Sequence, residues 1–212
     1  MSIKAKKSLG QNFLINENIV NLISKSVEIK SNDVLLEIGA GTGNLTEKLI
    51  NHSPKIIYIV EKDEILSNHL HKKFGDQLNI INQDILDFDE RTISKTDKLM
   101  IFGNLPYNIS TQILVNFINV KNWPPFFKKI IFMFQKEVAD RIIAQPNTKE
   151  YGRLSILTNY RLDIINSFKI SKNSFFPKPA VDSKVIVFKP KTKLNYNIIN
   201  LKNLEKITNF FF

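Results

Sequence analysis

The chain has 212 residues, of which 43% are hydrophobic and 24% charged, a composition typical of a folded globular protein and not of a disordered or fibrous one. It contains no cysteine, which excludes disulfides, thiolate metal sites and thiol catalysis, and its three histidines are too few and too poorly spaced for a zinc site. Lys and Arg outnumber Asp and Glu by 30 to 20, and the net charge of +10 favours a polyanion such as nucleic acid, although AT-rich codons also produce many lysines.

Membrane insertion and secretion are not indicated by the sequence. The longest apolar runs, such as residues 130–134, are far shorter than a membrane span, and no secretory signal follows the basic N-terminus. We therefore expect a cytoplasmic protein that binds neither a membrane nor a metal.

From residue 33 onward, short apolar runs alternate with amphipathic segments. The pattern predicts strands at 34–38, 56–60, 78–82, 98–102, 130–134, 161–170 and 184–188, and helices at 43–51, 63–74, 111–119, 136–144 and 154–160. This alternation is typical of an α/β fold in which helices cover both faces of a mostly parallel sheet. Because no helix separates the last two of these seven strands, we expect them to pair as a hairpin and to place one antiparallel strand at the edge.

Three segments are predicted along the chain. Residues 1–32 form an N-terminal extension with a helix at 19–27, residues 33–190 form the α/β domain, and residues 191–212 begin an amphipathic helix near position 197. That helix ends in Phe210, Phe211 and Phe212, which would present bare apolar surface. We therefore expect that further structure is missing beyond these residues.

A glycine-rich turn follows the first predicted strand of the α/β domain. Residues 37–43 read EIGAGTG, and glycines are needed where the backbone turns sharply and a ligand approaches it closely. Glu61 ends the next strand, 20 residues after Gly41, where a carboxylate can accept hydrogen bonds from a ribose diol. Together these features predict an adenosine-containing cofactor. NAD and S-adenosylmethionine both fit this geometry, and the Gly-x-Gly-x-Gly spacing favours the methyl donor.

Asp84 follows the third strand and is placed to accept a hydrogen bond from the exocyclic amine of an adenine ring. Taken alone it would more often cap a turn or a helix. Its position at the third successive strand end with a polar group favours the ligand-binding role, because open α/β sheets bind ligands at that edge.

The segment 103–110, GNLPYNIS, directly follows the fourth strand. Adenine N6 is a weak nucleophile. The side-chain oxygen of Asn104 and the carbonyl of Leu105 could accept hydrogen bonds from this amine and draw its nitrogen toward tetrahedral geometry. Pro106 fixes the turn and offers no competing N–H. Tyr107 presents a ring on which an extruded base can stack. The segment therefore favours methylation of a base amine.

With these residues, the chain resembles the KsgA-type ribosomal RNA adenine N6,N6-dimethyltransferases. The likeness runs from about residue 7 to 190 and covers residues 10–14, 103–110, 135–138, 151–155 and 175–183. It implies a Rossmann-like class I methyltransferase fold, followed by a small helical C-terminal domain that is largely absent from this chain. It also implies an S-adenosylmethionine-dependent enzyme that dimethylates two adjacent adenosines in a hairpin loop near the 3′ end of small-subunit ribosomal RNA during ribosome biogenesis. The partner implied is that RNA within a pre-ribosomal small subunit, and we expect a monomer.

The resemblance also implies how the cofactor is held. Gly39 and Gly41 admit its methionine part, Glu61 holds the ribose and Asp84 reads the adenine.

Around the reacting base, the resemblance implies that Asn12 and Leu14 close over the cofactor and that Asn104 lies between cofactor and target base. Tyr107 and Phe175 form the expected stacking pair around the target adenine. For Phe175, a core-facing position is an equally good interpretation of the sequence alone; the prolines that follow it favour a stiff loop that presents the ring.

Three other functions remain open. One is a large-subunit ribosomal RNA adenine methyltransferase of the macrolide-resistance type, and another is a non-catalytic RNA-binding or ribosome-assembly factor. The third, a nicotinamide-dependent dehydrogenase, leaves residues 104–107 unexplained.

Overall fold

The computed structural model describes residues 4–89, 92–93, 97–194 and 201–211. Its strands are β1 (Phe13–Leu14), β2 (Val34–Ile38), β3 (Ile56–Val60), β4 (Asn79–Ile81), β5 (Leu99–Gly103), β6 (Phe127–Gln135), β7 (Leu162–Ile170), β8 (Phe175–Phe176) and β9 (Ser183–Pro190). Its α-helices are α1 (Glu17–Ser24), α2 (Asn44–Ile50), α3 (Glu64–Phe74), α4 (Ser110–Ile118), α5 (Lys136–Ile143), α6 (Arg153–Arg161) and α7 (Leu201–Phe211).

The main sheet has seven strands in the order β4-β3-β2-β5-β6-β9-β7. The first five of these strands are mutually parallel, and β2 lies between β3 and β5. The order therefore reverses beside β2, which is where open parallel sheets bind ligands at their carboxyl edge. The predicted α/β fold with a mostly parallel, seven-stranded sheet is confirmed.

The two last strands pair as predicted, but the antiparallel strand is not at the edge. Strand β9 runs antiparallel to both β6 and β7 and lies between them, so the edge strand is β7. The cause is the distribution of apolar residues. Residues 185–188 of β9 are all buried, whereas β7 exposes several polar residues along its length. A strand that is apolar on both faces is stabilised in the interior of a sheet, and a polar strand is tolerated at its edge.

Two apolar clusters fill the two faces of the sheet, as alternation along the strands requires. Val34 and Leu36 of β2 pack on the face covered by α4 and α5, and Leu35 packs on the face covered by α1, α2 and α3. Helices on both faces are thus confirmed. Asp63 caps α3, because its side chain accepts a hydrogen bond from the Ile65 N–H at 3.0 Å.

The N-terminal segment is part of the molecule's core. Helix α1 packs against α2, and Val20 and Ile23 belong to the same apolar cluster as Leu35. Strand β1 lies outside the main sheet and pairs with β8 in a separate antiparallel ladder of two strands. The start of the chain is therefore joined to the loop that precedes β9.

The predicted C-terminal helix is present as α7, which packs beside α6. Residues 195–200 and Phe212 lie outside the described part of the chain. Phe210 and Phe211 are exposed on α7, as the sequence led us to expect. Within the described ranges, no helix combines the length and apolar character that crossing a bilayer requires.

Candidate active site

A cleft of about 270 Å³ opens at the carboxyl edge of the sheet, between the ends of β2, β3, β4 and β5 and the N-terminal segment 8–14. It brings together every residue predicted to bind the cofactor and the whole predicted catalytic loop. These lining residues are Asn12, Leu14, Gly39, Gly41, Glu61, Asp84, Asn104, Leu105, Pro106 and Tyr107. Its size and its mixture of apolar and polar lining are typical of a site for a small ligand.

The glycine-rich turn forms the floor of the cleft. Gly39 has φ +67°, and a Cβ built there would meet no other atom within 4 Å, so the missing side chain leaves open space. Gly41 has φ +59°, and a Cβ there would lie 3.0 Å from the ring of Phe13. The turn needs glycine both for its left-handed backbone and for the close approach of its neighbours.

Glu61 is a buried carboxylate at the end of β3. Its Oε2 accepts a hydrogen bond from Gly41 N at 3.1 Å, and its Oε1 accepts one from Asp63 N at 2.9 Å. Burial raises the pKa of Glu61, and these backbone donors oppose that rise only in part. Each oxygen has a second lone pair, so the carboxylate, fixed in position, can still accept from the two hydroxyls of a ribose.

Glu37 lies beneath the glycine-rich turn and is 2% exposed. Its Oε2 accepts a hydrogen bond from the Thr46 hydroxyl at 2.7 Å. Burial raises its pKa to about 7, and the nearby Glu61 adds to the rise. The carboxyl group thus links β2 to α2, with a charge that depends on pH near neutrality.

Asp84 lies at the rim of the cleft beside Lys62, which sequence reasoning did not single out. Its Oδ2 accepts from the Lys62 ammonium at 2.6 Å, and its Oδ1 accepts from Leu86 N at 3.0 Å. Burial opposes ionisation of Asp84, but these hydrogen bonds outweigh it and hold the pKa below its usual range. Asp84 is therefore an ionised hydrogen-bond acceptor held at the rim of the cleft, and its role in reading an adenine amine remains a prediction.

The loop after β5 is fixed to the N-terminal segment. The side-chain Nδ2 of Asn104 donates to the backbone carbonyl of Asn12 at 3.1 Å. The loop also begins α4, because the Pro106 carbonyl accepts from Ile109 N at 3.1 Å and from Ser110 N at 3.0 Å. Since Nδ2 of Asn104 is engaged with Asn12, the Oδ1 on the other side of the amide can accept a hydrogen bond from a ligand amine.

Tyr107 is held by Ser183, a residue that the sequence did not indicate as part of the site. Its hydroxyl lies 2.6 Å from the hydroxyl of Ser183, which is fully buried at the start of β9. Burial raises the pKa of the Tyr107 phenol, so the ring carries a neutral hydroxyl. One hydrogen bond therefore sets the orientation of the aromatic ring that lines the cleft.

Phe175, the other predicted stacking residue, is not among the residues that line the cleft. It is 3% exposed, lies opposite Leu14 in the β1–β8 ladder and belongs to an apolar core cluster. Its neighbour Phe176 is 65% exposed. The stacking role of Phe175 remains a prediction, and in this structure its ring serves as core.

The N-terminal segment is held over the cleft by a carboxylate at the start of α3. Lys6 Nζ lies 2.8 Å from Asp63 Oδ1, and Gln11 Nε2 donates to Asp63 Oδ2 at 3.0 Å. Asn44 Nδ2 adds a hydrogen bond of 2.7 Å to the Leu14 carbonyl. The sequence offered no local signal for these contacts, since each joins residues that are distant along the chain.

Comparison with known proteins identifies the family. The sequence matches the family described as ribosomal RNA adenine dimethylase over residues 2–212. It is 48% identical over 212 residues to the ribosomal RNA small subunit methyltransferase A of Pelagibacter ubique, covering 100% of this chain and 80% of that protein.

Solved structures agree with this assignment. A dimethyladenosine transferase from Plasmodium falciparum superposes with a TM-score of 0.74 at 28% identity, over 93% of this chain and 66% of that one. The 23S rRNA methyltransferase ErmE has the same fold, with a TM-score of 0.74 at 22% identity over 93% of this chain and 78% of that one. With its glycine turn, its acidic strand ends and its Asn-Leu-Pro-Tyr loop in one cleft, the chain belongs to the ribosomal RNA adenine dimethylase family.

Proposed function

We propose that this protein transfers methyl groups from S-adenosylmethionine to N6 of two adjacent adenosines in a hairpin loop near the 3′ end of small-subunit ribosomal RNA, giving N6,N6-dimethyladenosine. The observation that carries the proposal is the position of Asn104. It lines the cleft beside the candidate cofactor residues, with its Nδ2 tied to Asn12 and its Oδ1 available to a base amine.

The residues of the cleft fit an adenosine-containing cofactor. Glu61 offers two fixed carboxylate oxygens for the ribose, Asp84 offers an ionised acceptor for the adenine amine, and Gly39 leaves space that a side chain would fill. Asn12 and Leu14 lie on the N-terminal segment that covers these groups. S-adenosylmethionine supplies, when bound, a methyl group on a positively charged sulfur.

The chain's own part in the reaction is to position and polarise the acceptor amine. The Oδ1 of Asn104 and the carbonyl of Leu105 accept hydrogen bonds from the amine at N6. These bonds draw the nitrogen toward tetrahedral geometry and make its lone pair available to the methyl group. Tyr107, fixed by Ser183, supports the plane of the base. Positioning of this kind provides most of the acceleration for a displacement in line.

No strong base is needed before the transfer. Once the new carbon–nitrogen bond has formed, the amine is cationic and acidic, and it releases its extra proton to water. The same acceptors then hold the singly methylated amine for the second round.

We assign residues 33–190 to the cofactor-binding catalytic domain, residues 1–32 to an N-terminal extension that packs on this domain and contributes residues 8–14 to the cleft, and residues 191–212 to a C-terminal helical segment. All residues that line the cleft precede position 114. The natural substrate in this proposal is the RNA within a pre-ribosomal small subunit, met in the cytoplasm by a monomer. The net charge of +10 supports binding to RNA phosphates.

Methylation of large-subunit ribosomal RNA is the second candidate, because the 23S rRNA methyltransferase ErmE shares the fold with a TM-score of 0.74, equal to that of the Plasmodium falciparum dimethyladenosine transferase. The chain is 48% identical to a relative named for the small subunit but 22% identical to ErmE, which favours methylation of small-subunit RNA.

The deciding experiment is methyl transfer from labelled S-adenosylmethionine to undermethylated small ribosomal subunits, with large subunits as a parallel substrate. We expect label in small-subunit RNA, recovered as N6,N6-dimethyladenosine at two adjacent positions. Label in large-subunit RNA would support the second candidate. Cofactor binding by calorimetry without any methyl transfer would identify an assembly factor instead, and absence of cofactor binding would overturn the proposal.

A further inference from the structure

An exposed aromatic side chain stands next to the cleft without contributing to the core. Phe176 is 65% exposed, although burial of a phenylalanine side chain would be favourable. Its neighbour Phe175 is buried, and because successive residues of a strand point to opposite faces, Phe176 lies on the face turned away from that core.

The β1–β8 ladder fixes the side on which Phe176 lies. Phe13 is directly opposite Phe176, and Leu14 is directly opposite Phe175. Residues opposite each other in an antiparallel pair project to the same face, so Phe176 shares a face with Phe13. The ring of Phe13 lines the cleft and covers Gly41. Phe176 therefore stands beside Phe13 on the side of the mouth of the cleft.

From this arrangement we propose that Phe176 stacks on the base of the nucleotide adjacent to the target adenosine when the RNA is bound. This inference rests on the proposed function. Flipping the target base out of its stack leaves the neighbouring base with an uncovered face, and an exposed aromatic ring is a suitable platform for it. Tyr107 inside the cleft and Phe176 outside it would hold two successive bases.

The charge around Phe176 suits a nucleic acid better than an apolar protein partner. Lys178 is exposed two residues further along the same loop, and Lys172 reaches the same loop through a hydrogen bond of 3.3 Å from its Nζ to the Ala180 carbonyl. Cations beside an exposed ring are the usual combination for binding a single strand through phosphates and bases. The apolar ring and the lysines thus form one surface that continues from the cleft.

The test compares Phe176→Ala, Phe176→Leu and Phe176→Trp with the unaltered chain, using small ribosomal subunits as substrate. We expect Phe176→Ala and Phe176→Leu to raise the KM for the subunit about tenfold, because removal of a base–aromatic stack typically weakens binding by about fivefold or more. Phe176→Trp retains an aromatic ring and should keep the KM of the unaltered chain. The kcat and the dissociation constant of S-adenosylmethionine should stay unchanged. Ile165→Ala, which alters a side chain that is 51% exposed on the distant edge strand β7, is the matched control.

The affinity of each variant for small-subunit RNA, measured directly by filter binding, separates this inference from the proposed function. If the unaltered chain binds the RNA but does not methylate it, the proposed function fails, and the affinity of Phe176→Ala still decides the inference. An unchanged affinity and KM in Phe176→Ala would overturn it. An unchanged KM in Phe176→Leu would also overturn it, because that result would indicate apolar packing without stacking. Loss of cofactor binding in Phe176→Ala would overturn it as well, because that result would place the ring at the cofactor site.

Discussion

The side-chain amide of Asn104 donates a hydrogen bond of 3.1 Å to the backbone carbonyl of Asn12. This bond decides which end of the amide is engaged by the protein and which end is offered to a ligand. It also joins the loop after β5 to the segment that covers the cofactor cleft. The group proposed to polarise the base amine is therefore oriented by the same segment that closes over the methyl donor.

Asn104→Ala removes the proposed acceptor of the base amine. We expect turnover to fall by about 100-fold or more, the range seen when one fixed polar group is removed from an active site. The fold should persist, because this side chain is only half-buried and the N-terminal segment that it contacts is also held by bonds from Asp63 and Asn44. Methyl transfer and thermal unfolding should be measured together, with Asn116→Ala on the exposed side of α4 as control. Near-normal methylation by Asn104→Ala would refute the role.

Asp84→Ala removes the acceptor proposed to read the adenine. We expect the dissociation constant of S-adenosylmethionine to rise about tenfold, the effect of losing one hydrogen bond to a charged group. Asp87→Ala changes an exposed carboxylate three residues away and should leave binding unaltered. Calorimetry on both variants is the measurement, and equal affinities would show that Asp84 serves only its ion pair with Lys62.

Ser183→Ala and Tyr107→Phe each break the same hydrogen bond. Either change should lower the free energy of unfolding by about 1 kcal/mol, because one hydroxyl is left without its partner in a largely buried place. The double variant should cost little more than either single one, since both report one interaction. Urea denaturation of the two single variants and the double variant measures these free energies of unfolding, with Ser167→Ala on the exposed edge strand β7 as control. Strictly additive losses would contradict the coupling.

Glu37 should make the stability of the protein depend on pH. Its pKa rises from an ordinary 4.5 to about 7 in the folded state. Between these values the folded state retains a proton that the unfolded state releases, so stability falls as pH rises from 4.5 to 7 and then levels off. The predicted loss is at most about 3 kcal/mol, the free-energy equivalent of the pKa difference.

Glu37→Gln should remove this contribution, so that the variant gains stability relative to the unaltered chain as pH rises from 5 to 8. Urea denaturation at both pH values measures the difference. A constant difference across that interval would show that Glu37 does not change its protonation there.

Sequence patterns predicted the parts of the site that depend on strand ends. A parallel sheet gathers the carboxyl ends of its strands at one edge, so Gly39, Glu61, Asp84 and Asn104 could be placed together before any coordinates were known. Hydrophobic periodicity also predicted the strand–helix alternation, because that pattern is local.

Contacts between distant segments could not be predicted in this way. Ser183 meets Tyr107 across 76 residues of sequence, and neither local spacing nor periodicity encodes such a meeting. The burial of Phe175 depends on β1, whose two residues are too few to be recognised as a strand. The prediction for β9 was wrong, although its uninterrupted apolar run is typical of an interior strand and the polar residues of β7 are typical of an edge strand.

The short ladder between β1 and β8 has a thermodynamic consequence. Its two strands belong to the segment that covers the cofactor cleft and to the loop that carries Phe176, and they can pair only when both are in place. A ligand that holds one strand therefore favours the ordered position of the other. Methyl donor and RNA should consequently enhance each other's affinity, and linkage requires the factor to be the same in both directions.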